Sequence, residues 1–275
     1  MTRPVLTLLY APADRPELAA KALAGDADVV VLDLEDAVAP ARKEAARAAL
    51  AGLLAAAPAG RPAQVRVNEE RTGWHAADLA AVAALPPGVG LRVPKVHDPD
   101  AVRALARAVP GRPLHLLLED ALGVEQAYAL ATADPAVASV GLGEADLRSD
   151  LGVTDDAGLA WARSRVVTAA RAAGLPAPSM SVHPHVTDLD GLRASCATGR
   201  ALGFVGRAAI HPRQLPVIRE AFTPDAAEVA RAREVLDRVA GARAAGVGAV
   251  VLADGTFLDV AMVERARAVV ELAGG

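Results

Sequence analysis

The chain reads as an α/β protein: a (β/α)8 barrel over residues 1–222 and a C-terminal helical extension over 223–275. Three observations predict this. Short apolar runs alternate with longer stretches of helical period. The runs are apolar on both faces, as in a parallel sheet covered by helices. Polar residues recur at the ends of those runs, about one βα unit apart, so they meet on one rim.

VLTLLYAP (5–12) is the first strand and PELAAKALA (16–24) its helix, with Pro at the start, where a missing N–H costs nothing. ADVVVLDLED (27–36) with PARKEAARAALAGLLAAA (40–57) is the second unit, and AQVRVNEE (63–70) with AADLAAVAAL (76–85) the third. GVGLRVPKV (88–96) with PDAVRALARAV (99–109) and PLHLLLED (113–120) with GVEQAYALAT (123–132) are the fourth and fifth. AVASVGLGEAD (136–146) with DAGLAWARSRVVTAARAAG (156–174) is the sixth. APSMSVHPHV (177–186) gives a weaker seventh strand, TDLDGLRASCATGRAL (187–202) its helix, and GFVGRAAIHP (203–212) an eighth strand. Eight repeats favour closure, and an open sheet is the alternative because the seventh strand is poor. RQLPVIREAF (213–222) is a short helix; Thr223 then caps a long helix that has Pro224 at its first position and runs to about Ala240. GARAAGVGAVVLADGTFLD (241–259) is hairpin-like, and VAMVERARAVVELA (260–273) is the last helix.

Hydrophobic residues make up 53% of the 275 and charged residues 23%, a globular composition. The formal charge of -4 and the absence of a basic tract exclude nucleic acid as an expected partner. The single Cys196 rules out an internal disulfide and a structural zinc site built on two or more cysteines. No segment reads as a membrane span or cleavable leader, so a cytoplasmic protein without a membrane partner is expected. No G-x-G-x-x-G follows the first strand and no P-loop occurs, which removes the usual signatures of dinucleotide and nucleoside-triphosphate binding.

Glu119 and Asp146 end consecutive apolar strands. Two such carboxylates can share one hard cation, with waters and substrate oxygens completing an octahedron. The plainer alternative makes each a helix cap or an arginine partner. Glu144 competes for the same role and, on a straight strand, would share a side with Asp146; Asp150 reads as a cap or ion pair. Arg66 sits in an apolar strand and needs a carboxylate partner or an anionic ligand. Its fork suits an organic carboxylate or a carbonyl oxygen gaining charge, and pairing with Asp33 or Glu35 is equally open. Asn68 shares its phase, Lys95 ends the next strand, and Asp36 is placed to cap the turn before the second helix. His183, His185 and His211 invite a zinc reading, but the two His-Pro pairs also read as turns. His97 and His115 read as structural or surface histidines, and Asp259 as the cap of the last helix.

LYAPADRPELAAKALAGDADVVVLDLEDAVAPARKEAAR, VRVNEERTGWHAADLAAV, the strand ending at Glu119, GEADLRSDLG, LGFVGRAAIHPRQLPVIREAFTPDAAEVARAREVL and DGTFLDVAMVERA span nearly the whole chain. Together they resemble the HpcH/HpaI aldolase superfamily, in its citrate lyase β-subunit-like branch of CoA-ester lyases. The resemblance implies a Mg2+ cofactor on Glu119 and Asp146, and Arg66, Asn68, Glu119 and Asp146 at the substrate. It implies an enolate-stabilising Arg66 with Asp33 and Glu35 as catalytic residues beside it, and Arg15, Lys21 and Lys95 as cofactor-binding cations. Asp259 matches a catalytic lid aspartate that in several members enters the neighbouring subunit's site, so a homotrimer or homohexamer is expected. The implied partners are an acyl-CoA ester and a small 2-oxo acid. The implied reaction cleaves citramalyl-CoA, malyl-CoA or citryl-CoA; thioester hydrolysis, condensation and a non-enzymatic scaffold are the alternatives. Ala13 stands where the family has Gly, and a left-handed backbone there would be strained. Met180 and His185 replace acids in a segment expected at the barrel mouth.

Overall fold

The computed structural model describes residues 4–244, 250–251, 257–258 and 260–274. The chain divides into two compact units, Val5–Arg219 and a smaller one holding Glu220–Gly275.

In the larger unit, short β-rich runs become strands and Ala-rich amphipathic stretches become helices, in alternation. The strands are β1 (Thr7–Pro12), β2 (Val29–Asp33), β3 (Ala63–Arg66), β4 (Gly90–Val93), β5 (Leu114–Leu118), β6 (Val137–Leu142) and β7 (Arg207–Ala209). The helices are α1 (Pro16–Ala24), α2 (Lys43–Ala55), α3 (His75–Ala83), α4 (Pro99–Ala108), α5 (Ala121–Glu125), α6 (Ala127–Ala131), α7 (Glu144–Leu151), α8 (Ala160–Ala172), α9 (Leu189–Ala201) and α10 (Leu215–Phe222). Several ends follow directly from local chemistry. Pro16 and Pro99 open α1 and α4, and the side chains of Asp98, Asp120 and Asp188 accept backbone N–H groups at the starts of α4, α5 and α9.

All seven strands pair in parallel in the order β6-β5-β4-β3-β2-β1-β7. Leu8, Val29, Val31 and Ala208 form one buried cluster, with Tyr10 and Val182 packed against it. The other face of each strand, including Val30, Leu32, Val65 and Leu91, is fully buried under helices.

The expected seventh strand is reduced to a single bridge, Met180 to Arg207, so an eight-stranded closed ladder does not form among the described residues. The reason is in the sequence: Pro176, Pro178 and Pro184 remove ladder donors along this stretch. The segment still runs beside both sheet edges. Val182 joins the cluster of β1, β2 and β7, and a Cβ at Gly141 of β6 would lie 3.8 Å from the Ser179 carbonyl oxygen. Met180 is buried against α9, where a Cβ at Gly199 would collide with its sulfur, so it does not face the mouth. Ala13 is fully buried and donates its N–H to the Asp33 carbonyl at 3.0 Å. Lys95 is the non-glycine residue with positive φ among those described, so the strain expected of a left-handed Ala13 does not arise.

At the N-terminal end of the strands, Asp28 ties the first elements of the unit to the last. Its Oδ2 accepts from the Leu6 and Thr7 N–H groups and the Thr7 hydroxyl at 2.8–2.9 Å. Arg219 donates to its Oδ1 at 3.0 Å. Burial pushes the Asp28 pKa up, but the bonds from Arg219 and Thr7 outweigh it and hold the carboxyl below its usual range.

The smaller unit contains α11 (Ala226–Ala244), the two-residue antiparallel pair β8 (Val250–Val251) and β9 (Phe257–Leu258), and α12 (Val260–Gly274). Ala232, Val235, Leu258 and Ala266 form its core, with Leu236, Val239 and Met262 around them. The first helix starts two residues later than the Thr223-Pro224 reading. Asp225 Oδ1 accepts from the Glu228 N–H at 2.8 Å while Glu228 Oε2 accepts from the Asp225 N–H at 2.9 Å, a reciprocal capping box. Among the described residues, no helix is long and apolar enough to cross a membrane.

Candidate active site

The strand register brings the charged residues together. Asp33 of β2 is the register partner of Arg66 of β3. Arg66 donates from Nε to Asp33 Oδ1 at 2.8 Å and from Nη2 to Oδ2 at 2.6 Å. The same carboxylate accepts the backbone N–H groups of Glu35 and Ala37, so Asp33, not Asp36, caps this turn. Arg66 Nη1 lies 2.9 Å from Glu35 Oε2, an ion pair outside hydrogen-bond geometry, and donates to Asp36 Oδ2 at 3.1 Å. The Arg66 guanidinium also sits 5.0 Å from the Tyr10 ring centre. Burial alone would lower the Arg66 pKa; the bond and charge of Asp33 reverse that, so the guanidinium stays protonated.

Behind this pair lies a second buried network. Lys43 of α2 donates from Nζ to the carbonyls of Leu34 and Glu35 and to Asn68 Oδ1, at 2.6–2.8 Å. Asn68 Nδ2 donates to the Leu34 carbonyl and to Asp78 Oδ2. Both amide donors of Asn68, the predicted substrate residue, and one lone pair of its oxygen thus hold the β2–α2 turn.

Glu119 follows β5 directly and is buried. Gly143, after β6, leaves it room, since a Cβ there would collide with Glu119 Oε1. Burial first, then the neighbouring carboxylates of Glu35 and Asp146, push the Glu119 pKa up to about 8. Burial, with Asp36 and Asp33 adding to it against Arg66 and Lys95, raises Glu35 to about 7. Lys95 follows β4 in the left-handed region, φ 52°, a strained conformation for a side-chain-bearing residue. Its Nζ lies 3.3 Å from Asp146 Oδ1 and 4.0 Å from Glu35 Oε1. Burial would lower its pKa, but Asp146, Glu119 and Glu35 together raise it.

Asp146 reaches this group differently from the strand-end reading. GEADLRSD is the start of α7, with acidic residues in the first turn, Arg148 in the last and Gly152 as a left-handed C-cap. On a helix, residues two apart point roughly 200° apart. Glu144 accordingly turns inward to Arg163, at 2.7–2.8 Å, while Asp146 turns out to Lys95. Asp150 accepts from the Ala121 N–H at 2.7 Å and so caps α5.

Glu35, Arg66, Lys95, Glu119 and Asp146 thus share one rim. Arg15 and Lys21 do not join them: both are exposed on α1 and its cap, and neither has an ion pair among the described residues. Asp259 lies outside the described residues. The histidines stay apart from this group. His211 Nδ1 accepts from the Arg213 N–H at 3.1 Å, His183 and His185 stack edge to face, and His97 bonds Asp120 at 2.9 Å. His115 lies inside the sheet against Ser139 at 2.8 Å. Three residues of this region, Lys43, Tyr10 and Arg92, do not stand out from the strand-end pattern. Of these, Arg92 carries the same signal as Arg66, a charge inside an apolar strand.

Among the described residues no three His, Cys, Asp or Glu side chains form a ready metal cage. Mg2+ does not need one: it binds through one or two carboxylates and keeps waters and substrate oxygens. Asp146 raises the cost of ionising Glu119, and Glu35 Oε2 is buried without a hydrogen bond. That donor set fits a hard divalent cation. A cleft of about 230 Å³ opens from Glu35 and Lys95 toward Lys43, Thr72 and Trp74.

Comparisons with known proteins give the family. Residues 6–212 match the family model of HpcH/HpaI aldolase/citrate lyase. A (3S)-malyl-CoA thioesterase of Cereibacter sphaeroides is 36% identical over 268 residues, covering 96% of this chain and 93% of that protein. An L-malyl-CoA/beta-methylmalyl-CoA lyase of the same species is 33% identical, covering 98% and 95%. The crystal structure of protein CitE from Mycobacterium tuberculosis, in complex with magnesium, acetoacetate and coenzyme A, superposes with a TM-score of 0.83 at 34% identity, covering 99% of both chains. The chain belongs to the HpcH/HpaI aldolase/citrate lyase family, a family of enzymes.

Proposed function

We propose that the chain is a Mg2+-dependent carbon–carbon lyase that cleaves a 3-hydroxyacyl-CoA of the citramalyl, malyl or citryl type into acetyl-CoA and a small 2-oxo acid. The observation that carries this reading is the single rim holding Arg66, locked in plane by Asp33, beside the mutually repelling Glu119 and Asp146. Glu119 and Asp146 would hold the ion. When bound, Mg2+ supplies Lewis-acid stabilisation of oxygens on the acid half.

The protein's own groups supply the rest. Arg66 stabilises the thioester oxygen as it takes up charge on C–C cleavage. Three carboxylates already contact it, and Asp36, its side chain 65% exposed, is the one a substrate oxygen most readily replaces. Asp33 fixes the fork, so the donors face one direction without reorganisation. Glu35, with its pKa near 7, is suited to take the substrate hydroxyl proton. Lys95 offsets the carboxylate charge, and Asp259 is a further proton-transfer group in this proposal. Arg15 and Lys21 are reserved for the distal part of the CoA ester, and a homotrimer or homohexamer is the working assembly we propose.

Thioester hydrolysis is the second reading, favoured by the 36% identity to a malyl-CoA thioesterase. Product analysis separates the two. Incubated with Mg2+ and each CoA ester, a lyase yields acetyl-CoA and an oxo acid, whereas a hydrolase yields free CoA and an intact hydroxy acid. Folded, Mg2+-loaded protein that turns over none of the three esters would refute both readings.

A further inference from the structure

We infer that Arg92 binds a second carboxylate on the acid half of the substrate, so that the protein prefers a dicarboxylic 2-oxo acid to a monocarboxylic one. This rests on the proposal above that a small 2-oxo acid occupies the rim.

Arg92 lies in β4 as the register partner of Arg66, and it is buried, only 8% exposed. The two arginines differ in what they meet. Arg66 contacts Asp33, Glu35 and Asp36. Arg92 donates from Nε to the neutral amide oxygen of Gln64 at 2.9 Å, and no carboxylate oxygen lies within ion-pair distance of it among the described residues. Of the other buried arginines on or against this sheet, Arg163 has Glu144 and Asp156, Arg112 has four backbone carbonyls, and Arg207 of β7, at the far side of the sheet order, has neutral partners, Ser195, Met180 and Cys196.

A guanidinium cannot shed its proton, and burying one without a countercharge is costly unless an anion arrives to meet it. The surroundings offer it none. On the adjoining strand His115 is the register partner of Arg92, and burial, followed by the charge of Arg92, pushes its pKa down to about 3. It is therefore neutral and bonded to Ser139. Tyr10 makes no hydrogen bond through its hydroxyl among the described residues, and Arg92 is the strongest charge acting on it, ahead of Arg66. A planar cation and a phenol with unused donors, with the neutral Gln64 and His115 on one side and the Arg66 guanidinium on the other, suit a carboxylate, which takes the arginine fork in two parallel bonds. Arg92 also lies within β4, three residues before the rim residue Lys95 that follows the strand. An oxo acid held at the rim by its oxo-carboxylate end can extend its far carboxylate toward it.

The test compares oxaloacetate with pyruvate, which lacks only the far carboxylate, by calorimetric titration of the full chain with Mg2+ present. The wild type is expected to bind oxaloacetate at least about tenfold more tightly. In Arg92→Met the ratio should fall to within about twofold, with pyruvate affinity nearly unchanged. Arg92→Lys, which keeps the charge and loses the fork, should retain part of the preference. Wild-type protein that binds pyruvate as tightly as oxaloacetate overturns the inference without recourse to any variant, as does a preference that survives Arg92→Met. Magnesium-dependent pyruvate binding without preference would remove Arg92 from recognition and leave the lyase proposal standing. A preference abolished by Arg92→Met, in protein that turns over no CoA ester, would do the reverse.

Discussion

The rim has two halves built on opposite terms. On the β2–β3 side, every strong group is met: Asp33 takes four bonds, Arg66 three carboxylates, and Lys43, Asn68 and Asp78 close on one another. On the β4–β6 side, Glu119 and Asp146 repel, Glu119 is pushed toward neutrality, and Lys95 is strained. The first half is finished by folding. The second is completed by what binds. A preorganised cation beside an under-neutralised carboxylate pair separates the cost of building the site from the gain of filling it.

Substitutions should divide along the same line. The largest expected effect is Asp33→Ala, which removes both hydrogen bonds that fix the buried Arg66 fork and leaves two backbone N–H groups without their acceptor. It should lower the unfolding free energy by about 3–5 kcal/mol, read by urea denaturation; a loss close to zero would mean the β2–β3 half is not the scaffold. Glu119→Gln should do the opposite, leaving metal-free stability unchanged or improved. Turnover should fall by about 10²-fold or more and Mg2+ affinity should drop, because a ligand charge is lost. Unchanged Mg2+ affinity would remove Glu119 from the metal site.

The pH dependence sharpens the contrast. A carboxyl whose folded pKa is raised binds its proton more tightly in the folded state, so it costs stability as pH rises. For Glu119 that window runs from an unfolded value of about 4.3 to about 8 in the folded chain. Metal-free protein should therefore lose stability between about pH 5 and 8, and Glu119→Gln should flatten the slope in urea titrations at several pH values. Mg2+ should restore the wild type most strongly at the upper end. The smallest effect is expected for Lys95→Gly. Relief of the left-handed backbone offsets a half-exposed ion pair, and stability should change by less than about 1 kcal/mol. A larger loss would show that Lys95 is part of the scaffold.

Much of this is legible in the sequence because strand phase is simple. Asp33, Arg66 and Glu119 sit at strand ends in equivalent phase, and the rim follows. Asp146 reaches the expected place from a different element. Its short helix lies between a strand and a longer helix, and an eight-residue segment barely registers as a period. Phase alone points to Asn68 but cannot show that Lys43, 25 residues away, already holds its oxygen. Placing Met180 at the mouth assumes a regular strand, which the neighbouring prolines prevent. Arg92 lies within a strand rather than at its end, so the recurrence of polar strand ends does not mark it.

The Asp28 clasp has a consequence for how the chain comes into being. Its hydrogen-bond partners include Thr7, near the start, and Arg219, which also reaches the Thr7 hydroxyl across 212 positions of sequence. At a synthesis rate of about 5–20 residues per second, Thr7 leaves the ribosome roughly 10–40 s before Arg219 can meet it. Until β7 has been made, shortly before Arg219, β1 has a neighbour on one side only, and its other edge is open to any strand that arrives first. The nascent chain therefore carries an exposed edge for most of its synthesis, and a product cut short before β7 would keep that edge for its whole lifetime.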